Sequence, residues 1–252
     1  MKRYIMLLMA ALALSSCVSL KKIRYIQDAS DKQNIEFLNE AISDYKVQPG
    51  DNLYIDIKSL DTKNMNPFQN APSGSYQMNS DAGIYLNSYN VSDSGYIDFP
   101  VVGKILVQGY TVTDVKERLQ KVIDEYFQMT TVTVKLVSFK ISLLGEVARP
   151  GAYQVYQSSI NIFQALSIAG DLNEFADRSN VKIIRKTKNG STIHNINLLS
   201  TQVLESPYYY LQPEDIIYIE PLRGKNFTFT AFPYAIIFST ISTTLLILNF
   251  LK

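Results

Sequence analysis

The sequence predicts an α+β protein: two modules of short strands with few helices, followed by a C-terminal membrane helix. Three observations carry this. Apolar residues alternate along runs bounded by Gly, Pro and Asn, the period of strands buried on one face. Before the tail, helical spacing is confined to "TVTDVKERLQKVIDEYF" and "SSINIFQALSIAG". From Asn226 to Leu251 no charged residue occurs.

The chain has 252 residues, 46% of them hydrophobic, and a formal net charge of +1. That is ample for a core, and it argues against both a disordered chain and a nucleic-acid-binding surface. The single Cys rules out an intramolecular disulfide.

That Cys ends the stretch "MKRYIMLLMAALALSSC". Lys2 and Arg3 form a basic region, Ile5 to Leu14 an apolar one, and small residues precede Cys17, which is the layout of a secretory signal. Leu14-Ser15-Ser16-Cys17 resembles a bacterial lipoprotein lipobox, which implies a signal peptide over 1–16 and lipid on Cys17. An ordinary cleaved signal with an incidental Cys is the alternative. Cleavage removes Lys2 and Arg3 and takes the charge from +1 to −1. The following "VSLKK" lacks the Asp of an inner-membrane retention signal. By resemblance to other lipoproteins, the expected address is the outer membrane of a Gram-negative bacterium, lipid-anchored, with the bulk of the chain periplasmic.

Residues 17–43 read as a polar leader, and the first module as 44–138. Leu53, Ile55 and Ile57 alternate with Tyr54, Asp56 and Lys58 in its first strand. Residues 60–90, dense in Asn, Ser, Pro and Gly, read as a long loop. Tyr96–Phe99 and Lys104–Val107 are short strands beside turns at Ser94-Gly95 and Val102-Gly103. Thr113 is the expected cap of the following helix, with Asp114 at its positive dipole end. Val115, Leu119, Val122, Ile123 and Tyr126 form its inward stripe. Val132, Val134 and Leu136 then face one way in a strand.

The second module reads as 139–222. "GEVARPGAY" turns between strands. Ile162, Phe163, Leu166 and Ala169 point inward from a short helix that Gly170 terminates. Lys188-Asn189-Gly190 carries a hairpin turn with positive φ at both central positions. "YYYLQPEDIIYIEP" closes the unit with a strand.

The tail is residues 226–252. Pro233 suits a first helical turn, and Pro233 to Leu251 would give about 28 Å of helix against a hydrocarbon core of about 30 Å. Ile237, Phe238, Ile241, Leu245 and Leu248 form an apolar arc, read as lipid-facing. Ser239, Thr240, Ser242, Thr243 and Thr244 lie opposite, mixed with Ile236, Leu246 and Ile247.

No phosphate loop, dinucleotide fingerprint, nucleophile elbow or His-Glu-x-x-His spacing occurs. His194 is the only histidine. Asp51, Asp98, Glu146 and Asp215 sit beside turns, where carboxylates cap backbone N–H groups. Tyr208-Tyr209-Tyr210 suits packing better than a sugar platform. The residues thus argue against an enzyme, a metal site or a cofactor.

Three phrases now combine. "YKVQPGDNLYIDI" followed by "VSDSGYIDFPVVGKILVQGYTVTDVKERLQKVIDEYF" resembles the polysaccharide-export domain of Wza-type outer-membrane polysaccharide export lipoproteins. Pro49, Gly50, Asp51, Pro100, Gly103 and Gly109 carry the match. "LLGEVARPGAYQVYQSSINIFQALSIAG" resembles a soluble-ligand-binding β-grasp (SLBB) module through Gly145, Glu146, Pro150 and Gly151. Asp171 departs from the pattern, standing where a second Gly is common. One SLBB module marks a short form.

The resemblance implies a ring-shaped homo-oligomer, an octamer among the candidates, that exports capsular polysaccharide or exopolysaccharide. The hydroxyl residues of the tail would line its pore. An inner-membrane polysaccharide copolymerase or chain-length regulator is the implied partner, with the polysaccharide chain and membrane lipid, and no nucleic acid. The competing reading is a periplasmic, membrane-anchored scaffold or glycan-binding lipoprotein without a pore of its own.

One phrase occurs twice: "VQPGDNLYI" from Val47 and "LQPEDIIYI" from Leu211. The flanking residues do not repeat, so this reads as two uses of one turn-to-strand solution. Gly50 becomes Glu214, which leaves the two turns free to differ in backbone geometry.

Overall fold

The structure, a computed structural model, describes residues 20–28, 36–37, 45–59, 81–127, 129–187, 189–222 and 234–250. Cys17, residues 60–80, Lys188 and Pro233 lie outside this set, and with them the expectations placed on them.

The first module consists of β1 (Asn52–Ser59), α1 (Asp81–Leu86), β2 (Tyr89–Asn90), β3 (Tyr96–Phe99), β4 (Gly103–Leu106), α2 (Val112–Tyr126) and β5 (Thr130–Leu136). Alternation decides its sheet. Leu53, Ile55 and Ile57 are buried, and β1 pairs antiparallel with β5 along its length and with β2 at its start. Strand order is β2-β1-β5, with β3 and β4 forming a separate hairpin. α2 closes the core with Val115, Leu119 and Ile123.

Three expectations are corrected here. The end of the expected 60–90 loop is not loop, because α1 and β2 occupy it. Thr111, not Thr113, caps α2: its hydroxyl accepts the Asp114 N–H at 3.1 Å while the Asp114 carboxylate accepts the Thr111 N–H at 3.1 Å. This reciprocal box starts the helix earlier than Thr113 allows. Tyr126 is exposed rather than inward, because the buried stripe ends at Ile123.

The second module contains β6 (Lys140–Gly145), β7 (Gly151–Gln154), α3 (Ile162–Ile168), β8 (Ala176–Thr187), β9 (Gly190–Ile196) and β10 (Ile216–Pro221). Its sheet runs β7-β6-β10-β8-β9, with β10 parallel to β6 and antiparallel to β8. The closing phrase of the module is therefore its central strand. Gly145 makes this possible: a Cβ there would lie 2.0 Å from the Ile219 carbonyl oxygen. α3 is capped by Asn161 and buries Ile162, Ala165 and Leu166. Phe163 is only partly buried, packed at the rim of the core. In the β8–β9 hairpin Thr187 pairs with Gly190, so Gly190 opens β9 instead of sitting inside the turn.

Two buried clusters result, one from Val47 to Val134 and one from Phe139 to Ile219, with Leu136 packed against both. The leader is not a plain spacer, because Ile26 and Gln27 donate backbone N–H groups to Leu198 and Leu199 of the second module.

The tail forms α4 (Tyr234–Phe250), a helix of 17 residues. At ~1.5 Å per residue it is about 25 Å long, against a hydrocarbon core of about 30 Å. Among the described residues no helix is long and apolar enough to cross a membrane, which corrects the expected membrane span. The described helix carries no charged residue along its 17 positions.

Candidate functional site

The two copies of the repeated phrase meet at the junction of the modules. In the first, the Asp51 N–H donates to the Gln48 carbonyl at 3.1 Å, and in the second the Asp215 N–H donates to the Gln212 carbonyl at 3.2 Å. Proline fixes φ at the second position of each turn. The third position is left-handed in both, with φ +90° at Gly50 and +69° at Glu214. These are features of type II turns. The freedom to differ that Glu214 suggested is therefore not used. Its left-handed backbone is held by its N–H, which donates to the Lys140 carbonyl at 2.8 Å, and by its carboxylate 3.4 Å from the Lys140 ammonium.

Each aspartate closes its turn in the same way. The Gln48 N–H donates to Asp51 Oδ2 at 2.8 Å and the Gln212 N–H donates to Asp215 Oδ2 at 2.7 Å. Their other partners differ. Tyr45 Oη and Ser138 Oγ donate to Asp51 at 2.9 and 3.1 Å, and burial pushes its carboxyl above the usual carboxylate range. Asp215 is fully buried, and Arg185 grips it with Nε at 2.9 Å and Nη2 at 2.7 Å. A buried carboxylate needs such a fork to offset its desolvation.

The linker is bonded from both sides: the Val137 N–H donates to the Asn52 carbonyl, and the Val137 carbonyl accepts from Gln154 Nε2 at 2.7 Å. Beside it lies a cleft of about 890 Å³, walled in part by Tyr45, Tyr54, Tyr85, Tyr156, Gln154 and Glu214. Phenol rings and amides suit the polar edges and apolar faces of sugars. Its charged lining residues are Lys135, Lys140 and Glu214.

The remaining sequence candidates are scattered. Asp98 sits in β3, opposite Lys104. Glu146 is buried after β6, and its carbonyl accepts the Asn173 N–H. Pro100 and Gly103 turn the β3–β4 hairpin, and Pro150 leads into β7, which opens at Gly151. His194 stacks on Tyr208 at 3.8 Å and pairs with the Thr192 hydroxyl. Tyr208 and Tyr209 pack against the second core, as packing residues would. Among the described residues no group of three or more His, Cys, Asp or Glu could hold a metal ion.

On α4, the expected lipid-facing residues Ile237, Phe238, Ile241, Leu245 and Leu248 are exposed, and so are Ser239, Thr240, Ser242, Thr243 and Thr244. Four hydroxyls donate back into the helix: Ser239 to Ile236, Thr240 to Ile237, Thr243 to Ser239 and Thr244 to Thr240, at 2.7–2.9 Å. Their donors are satisfied internally and their lone pairs remain for a partner.

Tyr45, Ser138 and Arg185 were not legible as site residues. The partner of Ser138 lies 87 residues away and that of Arg185 lies 30 away.

Residues 39–137 match the polysaccharide biosynthesis/export protein family and residues 140–195 match the SLBB domain. The chain is 28% identical over 142 residues to the EPS I polysaccharide export outer membrane protein EpsA of Ralstonia solanacearum, and 27% identical over 139 residues to its namesake in Ralstonia nicotianae. The aligned stretches cover 55% and 54% of this chain and only 37% and 36% of those relatives. The chain thus spans little more than a third of the length of the curated relatives it matches.

Proposed function

Since the chain belongs to the polysaccharide export proteins, in a form with one SLBB module, we propose that it is an outer-membrane lipoprotein whose copies assemble into a conduit for capsular polysaccharide or exopolysaccharide. The observation that carries this reading is the order of the two matched modules on one continuous chain. The reading takes Cys17 as the acylated residue and the bulk of the chain as periplasmic. The modules act as one rigid wall, because the twin turns and the bonded linker leave the junction little freedom.

In this account the copies form a ring, with an inner-membrane copolymerase or chain-length regulator beneath it. α4 gathers at the lipid end of the assembly. Without α4 having to span the bilayer by itself, Ile237, Phe238, Ile241, Leu245 and Leu248 turn toward the lipid surface, and Ser239, Thr240, Ser242, Thr243 and Thr244 turn toward the passage between copies. Hydroxyls already bonded within the helix offer acceptors to a hydrated glycan without gripping it. The reaction class is transport, with no catalytic step assigned to any residue.

The cleft favours a second reading: a periplasmic scaffold or glycan-binding lipoprotein that holds polymer against Tyr54, Tyr85 and Gln154 and forms no pore. Mass measurement of the acylated protein in mild detergent separates the two. The conduit reading expects a closed multiple of the 28.5 kDa chain, less its signal peptide. A monomer at every concentration overturns the conduit and leaves the scaffold.

A further inference from the structure

The leader is built into the second module. Its turn Leu20–Lys22 lies against β8. The Ile26 N–H donates to Leu198 at 3.2 Å and the Gln27 N–H to Leu199 at 2.7 Å. The Asp28 carboxylate accepts from the Ser200 hydroxyl at 2.7 Å and the Thr201 N–H at 2.6 Å. Tyr25 is the anchor. Its ring meets Phe163 edge-on at 5.7 Å and lies 5.4 Å from the Arg178 guanidinium, and its hydroxyl donates to Asp171 at 2.5 Å.

Two oddities of the module are explained by this contact. Arg178 is 4% exposed, is held by the Leu172, Asn173 and Ala176 carbonyls, and pairs with no carboxylate within 4 Å among the described residues. The Tyr25 ring supplies a face for that buried cation. Asp171 holds φ +74°, a conformation that suits glycine, and keeps the carboxylate that receives Tyr25.

The leader also fixes distances. Leu20 is three residues from Cys17, a reach of about 10 Å at ~3.5 Å per residue. Without docking, the first attachment to the first module is the Lys46–Thr111 bridge, which allows a reach of about 100 Å. Lys21, Lys22 and Arg24 are exposed on the docked segment, beside the anchor position. Basic residues next to an acylated one add electrostatic attraction to an anionic lipid surface.

We propose that the leader is a clamp, with Tyr25 in the Asp171–Arg178 seat, that holds the Leu198–Glu205 face of the second module against an anionic membrane surface. This rests on the acylation of Cys17 proposed above.

The chain has no Trp, so single reporters can be placed. The acylated full chain carrying Gln202→Trp, or Lys121→Trp in the first module, is bound to phosphatidylglycerol vesicles that contain headgroup spin-labelled lipid. The clamp predicts several-fold stronger quenching at position 202 than at 121. It also predicts that the difference collapses in Asp171→Gly, which suits the backbone but lacks the Tyr25 acceptor, and in Tyr25→Ala with Asp28→Ala. Bound protein with equal quenching at both positions overturns the clamp alone, as does a difference that survives both sets of substitutions. Cys17 without lipid, read by mass, overturns the acylation reading and the clamp with it.

Discussion

Asp51 and Asp215 close the same turn at the two sides of the module junction. Each carboxylate accepts the N–H of the glutamine three residues before it, at 2.8 and 2.7 Å. What surrounds them differs: hydroxyls for Asp51 and a partly buried guanidinium for Asp215. Substitutions at the two should therefore differ in size.

Asp215→Ala leaves Arg185 as an uncompensated, largely buried charge, and should cost about 3–5 kcal/mol. Asp51→Ala loses hydrogen bonds that water can partly replace, and should cost about 1–3 kcal/mol. Urea unfolding of each variant reads the order, and a larger loss for Asp51→Ala contradicts it.

The turns themselves predict opposite responses at the third position. Glu214→Gly removes a left-handed side chain whose conformation costs roughly 1–2 kcal/mol, and forfeits only an exposed ion pair worth at most about 1 kcal/mol. It should leave stability unchanged or slightly higher. Gly50→Ala meets no atom within 4 Å, yet must hold φ +90°, so it should lose about 1 kcal/mol. Thermal midpoints compared side by side decide this.

Gly145→Ala adds a true clash with the Ile219 carbonyl to the strain of φ +88°. It should cost more than about 2 kcal/mol and loosen the β6–β10 pairing. Hydrogen exchange at the Glu146 amide, which donates to Ile219, reports that loosening directly.

The first module should answer acid through two carboxyls of opposite sign. The Thr111 backbone N–H and hydroxyl hold the Asp114 carboxyl below its ordinary 3.8. Its contribution is complete above 3.8 and is lost as pH falls through the folded value. Burial raises Asp51, so its contribution is present below 3.8 and is lost as pH rises through the raised value. Asp114→Asn should flatten the acid limb of the stability profile. Asp51→Asn should flatten the limb above 3.8. Urea midpoints followed from acid to neutral pH test both signs.

Much of the fold was legible because alternation is a local signal: Leu53, Ile55 and Ile57 announce β1, and Val132 and Val134 announce the inward face of β5. Gly170 ended its helix for a local reason too. What escaped reading depends on distance or competition. The Thr111–Asp114 box outbid Thr113 by satisfying two amides at once. The left-handed turn at Glu214 follows from its bond to Lys140, which composition does not show. Tyr25 reads as a polar leader residue until Asp171, 146 positions later, folds beneath it. The uncharged run after Asn226 announced the tail helix, described over Tyr234–Phe250.

The central claim, export, is tested most directly by where polysaccharide accumulates in cells lacking this chain. The account predicts polymer trapped in the periplasm and little at the surface, restored by the wild-type chain but not by a chain deleted for α4. Normal surface polysaccharide in the deletion strain would contradict it.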